Sequence, residues 1–170
     1  MRFNVGISHF ECEPTTIYDM TSIKMSRFMG VQLILWDTPA VRSVESMAYP
    51  TYNGTDVYYV VFSLTNKESF SQLDEIMQHL LFRTPRAAFI LVGAKSDKKY
   101  QRRVLKIEAE ALADKFSAKY FELTACQPSV VKEVIEYGVH RAMRAMDLEH
   151  LPQVSNRVLG MKKVSCCTII

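Results

Sequence analysis

The chain has 170 residues, of which 48% are hydrophobic and 23% charged, a composition typical of one globular domain with its own core. Its longest apolar run, 57–64, is too short to cross a bilayer, and the first ten residues lack the apolar stretch of a secretory signal. The net charge is +3, and it belongs to residues 151–170, because residues 1–150 hold 18 basic and 18 acidic residues. The absence of net charge in residues 1–150 argues against a nucleic-acid partner, which would require a basic surface.

Apolar runs and amphipathic stretches alternate along the sequence. A half-buried edge strand is predicted around 22–26, after a loop over 8–20. Buried or short strands then follow at 31–36, 56–64, 87–92 and 120–123. Between the first two of these strands, residues 38–55 are mostly polar or small, with two prolines, and are predicted to form a mobile loop and a short helix. Helices are predicted after a capping box at Thr65 to Glu68, around 105–116, and over 131–146. This alternation predicts an α/β fold with a doubly wound, mostly parallel sheet, while residues 151–170 are expected to be flexible.

Asp37 comes directly after the 31–36 strand, and residues 38–40 then turn the chain. Ligands of open α/β sheets bind beyond the carboxyl ends of the strands. Asp37 would therefore hold a metal ion, directly or through water, or would simply cap the turn, and this stretch alone leaves both interpretations open.

Short polar motifs occur at strand ends in a fixed order: WDT at 36–38, GAKSD at 93–97 and TAC at 124–126. With this order and spacing, residues 8–150 resemble the Ras superfamily of small GTPases, with features of Ras, Rab and Rho members. The resemblance implies an N-terminally incomplete Ras-like G domain over 1–150. It also implies GTP or GDP with Mg²⁺ as ligands, and effector or regulator proteins as partners.

The resemblance assigns roles to individual residues. Asp97 would accept two hydrogen bonds from the guanine edge, the Lys95 stem would cover the ring, and the Ala125 backbone would donate to the guanine carbonyl. Asp37 and Thr16 would hold Mg²⁺, with Thr15 as an alternative to Thr16. The expected effector surface is Thr16, Ile17, Tyr18 and Asp19.

Four departures from the family pattern predict a degraded nucleotide switch. The chain has no GxxxxGK[ST] loop to wrap the phosphates. Pro39 and Ala40 replace the flexible hinge of the second switch, and Val41 replaces the glutamine that orients water. Ala94 replaces the asparagine of the base motif. The chain is therefore expected to have no catalytic residue, not to hydrolyse GTP, and to bind nucleotide weakly or not at all.

The missing phosphate loop raises a folding question. In the family, the strand before that loop lies centrally, between the strands that match 31–36 and 57–64, and an empty slot would leave backbone groups unpaired. The alternating residues Phe3, Val5 and Ile7 could fill it. Alternatively, residues 2–10 resemble the end of the helix that precedes the first switch, and the gene model or transcript is truncated. The sequence leaves both open.

The last residues, Cys167-Thr-Ile-Ile170, match a CaaX prenylation box. One lipid chain binds a membrane only marginally, so Lys162 and Lys163 would add about 1 kcal/mol each at an anionic surface. Cys166 is either a palmitoylation site or a bystander thiol. These features predict a lipid-anchored protein at the cytoplasmic face of the plasma membrane or an endomembrane.

The sequence thus favours a Ras-like protein of membrane-associated signalling or trafficking that acts through partner binding. The alternative is an active GTP-hydrolysing switch of which this sequence is an N-terminally truncated form, and a third possibility is a fragment that does not fold stably.

Overall fold

One six-stranded sheet with helices on both faces organises the residues described by the computed structural model, which are 19–24, 31–37, 54–145 and 162–169. The strands are β1 (Asp19–Lys24), β2 (Val31–Asp37), β3 (Val57–Ser63), β4 (Ala88–Ala94), β5 (Lys119–Glu122) and β6 (Lys162–Ile169). The helices are α1 (Glu68–Ser71), α2 (Leu73–Arg83), α3 (Lys106–Lys115) and α4 (Pro128–Ala145), with a 3₁₀ turn at Lys99–Gln101.

The sheet has the order β1-β2-β6-β3-β4-β5. Only the β1–β2 pair is antiparallel; the four other neighbouring pairs are parallel. The carboxyl ends of β2, β6, β3, β4 and β5 therefore lie at one edge of the sheet, which is the edge where α/β proteins bind ligands.

Alternate residues of β3 point to opposite faces of the sheet, and this alternation creates two cores. On one face, Tyr58 and Phe62 pack with α2 and α3; on the other, Val57 and Tyr59 pack with α4. Both faces of β3 are thus buried, which explains its nearly uniform apolar sequence. The predicted α/β, doubly wound, mostly parallel architecture is confirmed.

The central strand β6 was not predicted from the sequence. Residues 151–170 were expected to be flexible, whereas the structure has a strand over Lys162–Ile169 that pairs with β2 along its length and with β3 over its last part. Residues 3–7 were one candidate for this slot; β6 lies there instead, and residues 1–18 are outside the described part. The physical reason is that a strand between β2 and β3 satisfies the backbone groups of both. The β-branched residues of VSCCTI suit that role.

Element boundaries differ from expectation in places. β1 begins at Asp19, inside the expected loop 8–20, and β2 includes Asp37. The capping box at Thr65 is wrong, because Asn66 Oδ1 accepts the backbone N–H of Glu68 at 2.9 Å instead. The loop and short helix predicted over 38–55 lie outside the described residues except for 54 and 55, and Met146, at the end of the last predicted helix, also lies outside them.

Helix α4 approaches the sheet closely at Gly138. A Cβ atom at this position would lie 2.2 Å from Tyr59 Oη, and that hydroxyl donates a hydrogen bond of 2.7 Å to the Ile135 carbonyl. The missing side chain allows the helix to sit against β3. None of the helices in the described ranges is long and apolar enough to cross a bilayer.

Candidate functional site

The loops that follow β4 and β5 meet at the carboxyl edge of the sheet. The Ser96 backbone N–H donates to the Leu123 carbonyl at 3.2 Å, and the Leu123 N–H donates to the Gly93 carbonyl at 2.9 Å. These bonds extend the β4–β5 pairing beyond the strands themselves. The GAKSD and TAC motifs, 27 residues or more apart in sequence (124 − 97), are thereby brought side by side.

Lys95 and Asp97 lie in a tight turn after β4. Lys95 has φ +64°, a left-handed conformation that is uncommon for residues other than glycine. The turn is closed by the Lys98 N–H bonded to the Lys95 carbonyl at 3.1 Å, and by the Lys99 N–H bonded to the Asp97 carbonyl at 3.0 Å. Lys95 is half-buried, Asp97 is exposed, and both residues take part in further interactions.

Ala125 lies in the turn between β5 and α4. Thr124, which is buried, closes this turn: its carbonyl accepts the Gln127 N–H at 3.1 Å, and its Oγ1 accepts the Cys126 N–H at 3.4 Å. The structure therefore brings the three residues expected to contact guanine to one edge of the sheet. Their role in binding a nucleotide stays a prediction.

The expected metal and effector residues are described only in part. Asp37 is the last residue of β2 and pairs in register with Asp19 of β1 and with Thr168 of β6. Thr15, Thr16, Ile17 and Tyr18 lie outside the described residues. Among the residues that are described, no three His, Cys, Asp or Glu side chains form a group that could hold a metal ion. The Mg²⁺ assignment of Asp37 and Thr16 is untested by this geometry.

An ion pair beside the site was not found from the sequence. The Arg102 guanidinium donates two hydrogen bonds to the Glu122 carboxylate, of 3.0 Å and 2.5 Å, and the Tyr120 hydroxyl donates to the same carboxylate at 2.8 Å. Arg102 lowers the pKa of Glu122, and burial raises the pKa of Tyr120. Arg102 and Glu122 are 20 residues apart and belong to no periodic pattern, so no local signal links them.

Gly93 has a packing role within the same region. A Cβ atom there would lie 2.8 Å from Leu64 Cδ2 and 2.9 Å from Tyr120 Oη. A glycine inside an apolar run is the available sequence signal for such a close approach. Gly93, the first residue of GAKSD, thus allows β4 to pack closely against Leu64 and Tyr120.

Comparison with known proteins agrees with this architecture. The Ras family model matches residues 3–144. The chain is 30% identical to the Ras-related protein Rab-39A of Homo sapiens over 132 residues, which is 75% of this chain and 61% of that protein. It is also 30% identical to human Ras-related protein Rab-27A over 125 residues, covering 71% of this chain and 56% of the relative. The chain belongs to the Ras family of small GTPases.

The match is partial in length. The chain spans about three fifths of the curated relatives it resembles, 61% of Rab-39A and 57% of the rat Rab-27A. Members of the family bind GTP or GDP with Mg²⁺ and act through effector and regulator proteins.

Proposed function

We propose that this chain is a Ras-like protein with a weakened nucleotide switch, which acts in membrane-associated signalling or trafficking by binding partner proteins. The observation that carries the proposal is the position of β6. In the family, the strand that leads into the phosphate loop lies between the counterparts of β2 and β3. Here that position belongs to Lys162–Ile169, and residues 1–170 contain no GxxxxGK[ST] loop.

The consequence for binding follows from where affinity for a nucleotide arises. The phosphate loop supplies backbone N–H groups, a lysine and a hydroxyl to the phosphates and the metal. Within residues 1–170, β6 is not joined to a loop of this kind and supplies none of these groups. What remains is the base side of the site, formed by Lys95, Asp97 and Ala125, and the carboxylate of Asp37. Such a partial site contacts the guanine ring but leaves the triphosphate without its main donors.

Two residues after Asp37 also disfavour GTP hydrolysis. Val41 cannot orient an attacking water, and Pro39 has no backbone N–H to donate. The proposed role therefore does not depend on turnover, and the interaction surface is assigned to residues 13–20, including Thr16 to Asp19, and to residues 38–55.

A nucleotide titration tests the weakened switch. The full chain with excess Mg²⁺ is expected to bind GTP and GDP more weakly than about 1 μM by calorimetry, since the phosphate donors are absent. Any residual binding should depend on the base, so Asp97→Ala should weaken it while Asp114→Ala, an exposed acid on α3, should not. Sub-micromolar affinity of the unaltered chain would contradict the proposal.

A second candidate has its own supporting observation. Because the chain spans only 61% of Rab-39A, these residues are also consistent with part of a longer, active GTP-hydrolysing switch. In that form a preceding strand would compete with β6 for the slot between β2 and β3. The same titration on a chain extended by the upstream in-frame codons separates the two: restored tight binding supports the longer switch, and unchanged weak binding supports the first proposal.

The membrane tether is proposed at Cys167, with Cys166 as a second acylation site and Lys162 and Lys163 as electrostatic support. In the described sheet, Cys167 pairs with Trp36 on one side and Tyr58 on the other. We propose that the tethered form and the β6-bound form are alternatives. The intact mass of the chain from eukaryotic cells should include a prenyl group that Cys167→Ser abolishes; an unmodified mass would remove the tether from the proposal.

A further inference from the structure

A strongly basic segment lies beside the candidate site. Residues 98–107, KKYQRRVLKI, contain five basic residues and no acid, although the first 150 residues as a whole are balanced. Lys98, Lys99 and Arg103 are exposed, and no ion pair among the described residues involves them. The other two cations are compensated, since Arg102 is bonded to Glu122 and Lys106 lies 3.5 Å from Glu110, so the uncompensated positive charge comes from Lys98, Lys99 and Arg103.

Large apolar side chains project from the same segment. Tyr100 is fully exposed at 106%, Ile107 is 71% exposed, and Leu105 is 59% exposed. Leu105 is also the N-cap of α3, where a polar side chain would normally accept a hydrogen bond from the helix. The Glu108 carboxylate still accepts the Leu105 N–H at 2.9 Å, but the segment lacks the side-chain acceptor of an N-cap and leaves apolar area in water. Local choices that oppose stability in this way are typical of functional surfaces.

The segment is held firmly against the sheet. Arg102 is anchored by the two hydrogen bonds to Glu122, and the backbone N–H groups of Arg103 and Val104 donate to the Leu64 carbonyl at 2.8 and 3.2 Å. The Val104 side chain is fully buried. The exposed cations and apolar groups therefore project from a fixed frame, which reduces the entropy lost when they bind.

We infer that the 98–107 surface, formed by Lys98, Lys99, Tyr100, Arg103, Leu105, Lys106 and Ile107, docks directly onto an anionic membrane. Cations attract acidic headgroups, and adjacent Tyr, Leu and Ile side chains enter the boundary between headgroups and acyl chains. This combination favours a lipid surface over an acidic protein segment, which would satisfy the cations but not the protruding apolar groups. The inference deepens the proposed membrane location, yet it needs neither a nucleotide nor a lipid anchor.

Vesicle binding by the full, unlipidated chain tests the inference. The chain should sediment with phosphatidylcholine vesicles that contain phosphatidylserine, should not sediment with phosphatidylcholine alone, and should be released by salt. Lys98→Gln with Lys99→Gln should weaken binding about thirtyfold. Tyr100→Ser with Ile107→Ser should weaken it about tenfold, because the apolar contact is lost.

Matched controls come from positions outside the 98–107 surface. Lys132→Gln with Arg141→Gln, two exposed positions of α4, makes the same change in net charge, and Phe82→Ser removes an aromatic side chain that is 82% exposed at the end of α2. These variants should bind vesicles like the unaltered chain, and all variants should keep its circular dichroism.

Several outcomes would overturn the inference: no binding to anionic vesicles, equal losses in the control variants, or binding to an acidic peptide without binding to vesicles. Because the chain in this test carries no lipid and no nucleotide, its outcome is separate from the mass measurement and from the titration.

Discussion

Replacing Cys167 by proline is expected to destabilise the protein by about 3 kcal/mol or more, a large part of the total stability of a small domain. Cys167 lies inside β6, between Trp36 of β2 and Tyr58 of β3. Proline removes a backbone donor from the middle of the sheet and leaves a buried partner unpaired. Urea unfolding followed by circular dichroism should show a lower midpoint, and thermal unfolding a decrease of about 6–12 °C.

The matched control for this prediction is Cys167→Ser, which keeps the backbone N–H and should cost much less than the proline. A proline variant that unfolds at the same urea concentration as the serine variant would mean that Lys162–Ile169 is not the central strand in solution. The comparison thus tests whether β6 occupies the central position on which the proposed function depends.

Alanine at Gly138 is the second change with a large expected effect, about 1–3 kcal/mol of lost stability. Its Cβ would meet Tyr59 Oη at 2.2 Å, and Tyr59 is buried and bonded to the Ile135 carbonyl. Alanine favours helix by about 1 kcal/mol over glycine, but the clash and the lost hydrogen bond together exceed that gain. Urea unfolding measures the change.

A double-mutant cycle with Tyr59→Phe isolates the cause. Phenylalanine lacks the oxygen atom that lies closest to the new Cβ, so Gly138→Ala should cost less in the Tyr59→Phe background, by about 1 kcal/mol. The same cost in both backgrounds would place the strain at atoms that phenylalanine keeps, above all Cζ of residue 59, which is 2.7 Å from the Cβ position, or at Val57 Cγ1, which is 3.0 Å away.

Much of the fold could be predicted because its signals are local. β3 and β4 are short apolar runs bounded by turn residues, and α4 shows a regular apolar stripe whose members Val131, Val134 and Val139 are buried. The juxtaposition of Lys95, Asp97 and Ala125 was also predictable, because neighbouring parallel strands end at the same edge of a sheet.

The rest depended on contacts between distant parts of the chain. β6 has two cysteines and two lysines with no clear hydrophobic period. Its strand conformation is stabilised by backbone pairing with β2 and β3, which are distant in sequence. Similarly, nothing near Arg102 indicates that its partner is Glu122 on β5. Local sequence patterns contain no information about pairing across such separations. The absence of a hydrophobic period in residues 151–170 therefore led to the prediction that this segment is flexible.

The order of the strands also has a consequence for biosynthesis. β2 borders only β1 and β6 in the sheet, so the β1–β2 hairpin joins the other strands through β6 alone. Val31 and its partner Lys162 are 131 residues apart (162 − 31), and closing so long a loop is slow. While the ribosome is still adding residues up to 161, β6 does not yet exist, and the N–H and C=O groups of β2 that it later pairs can bond to other nascent chains. Chaperone demand should therefore peak just before the last strand emerges.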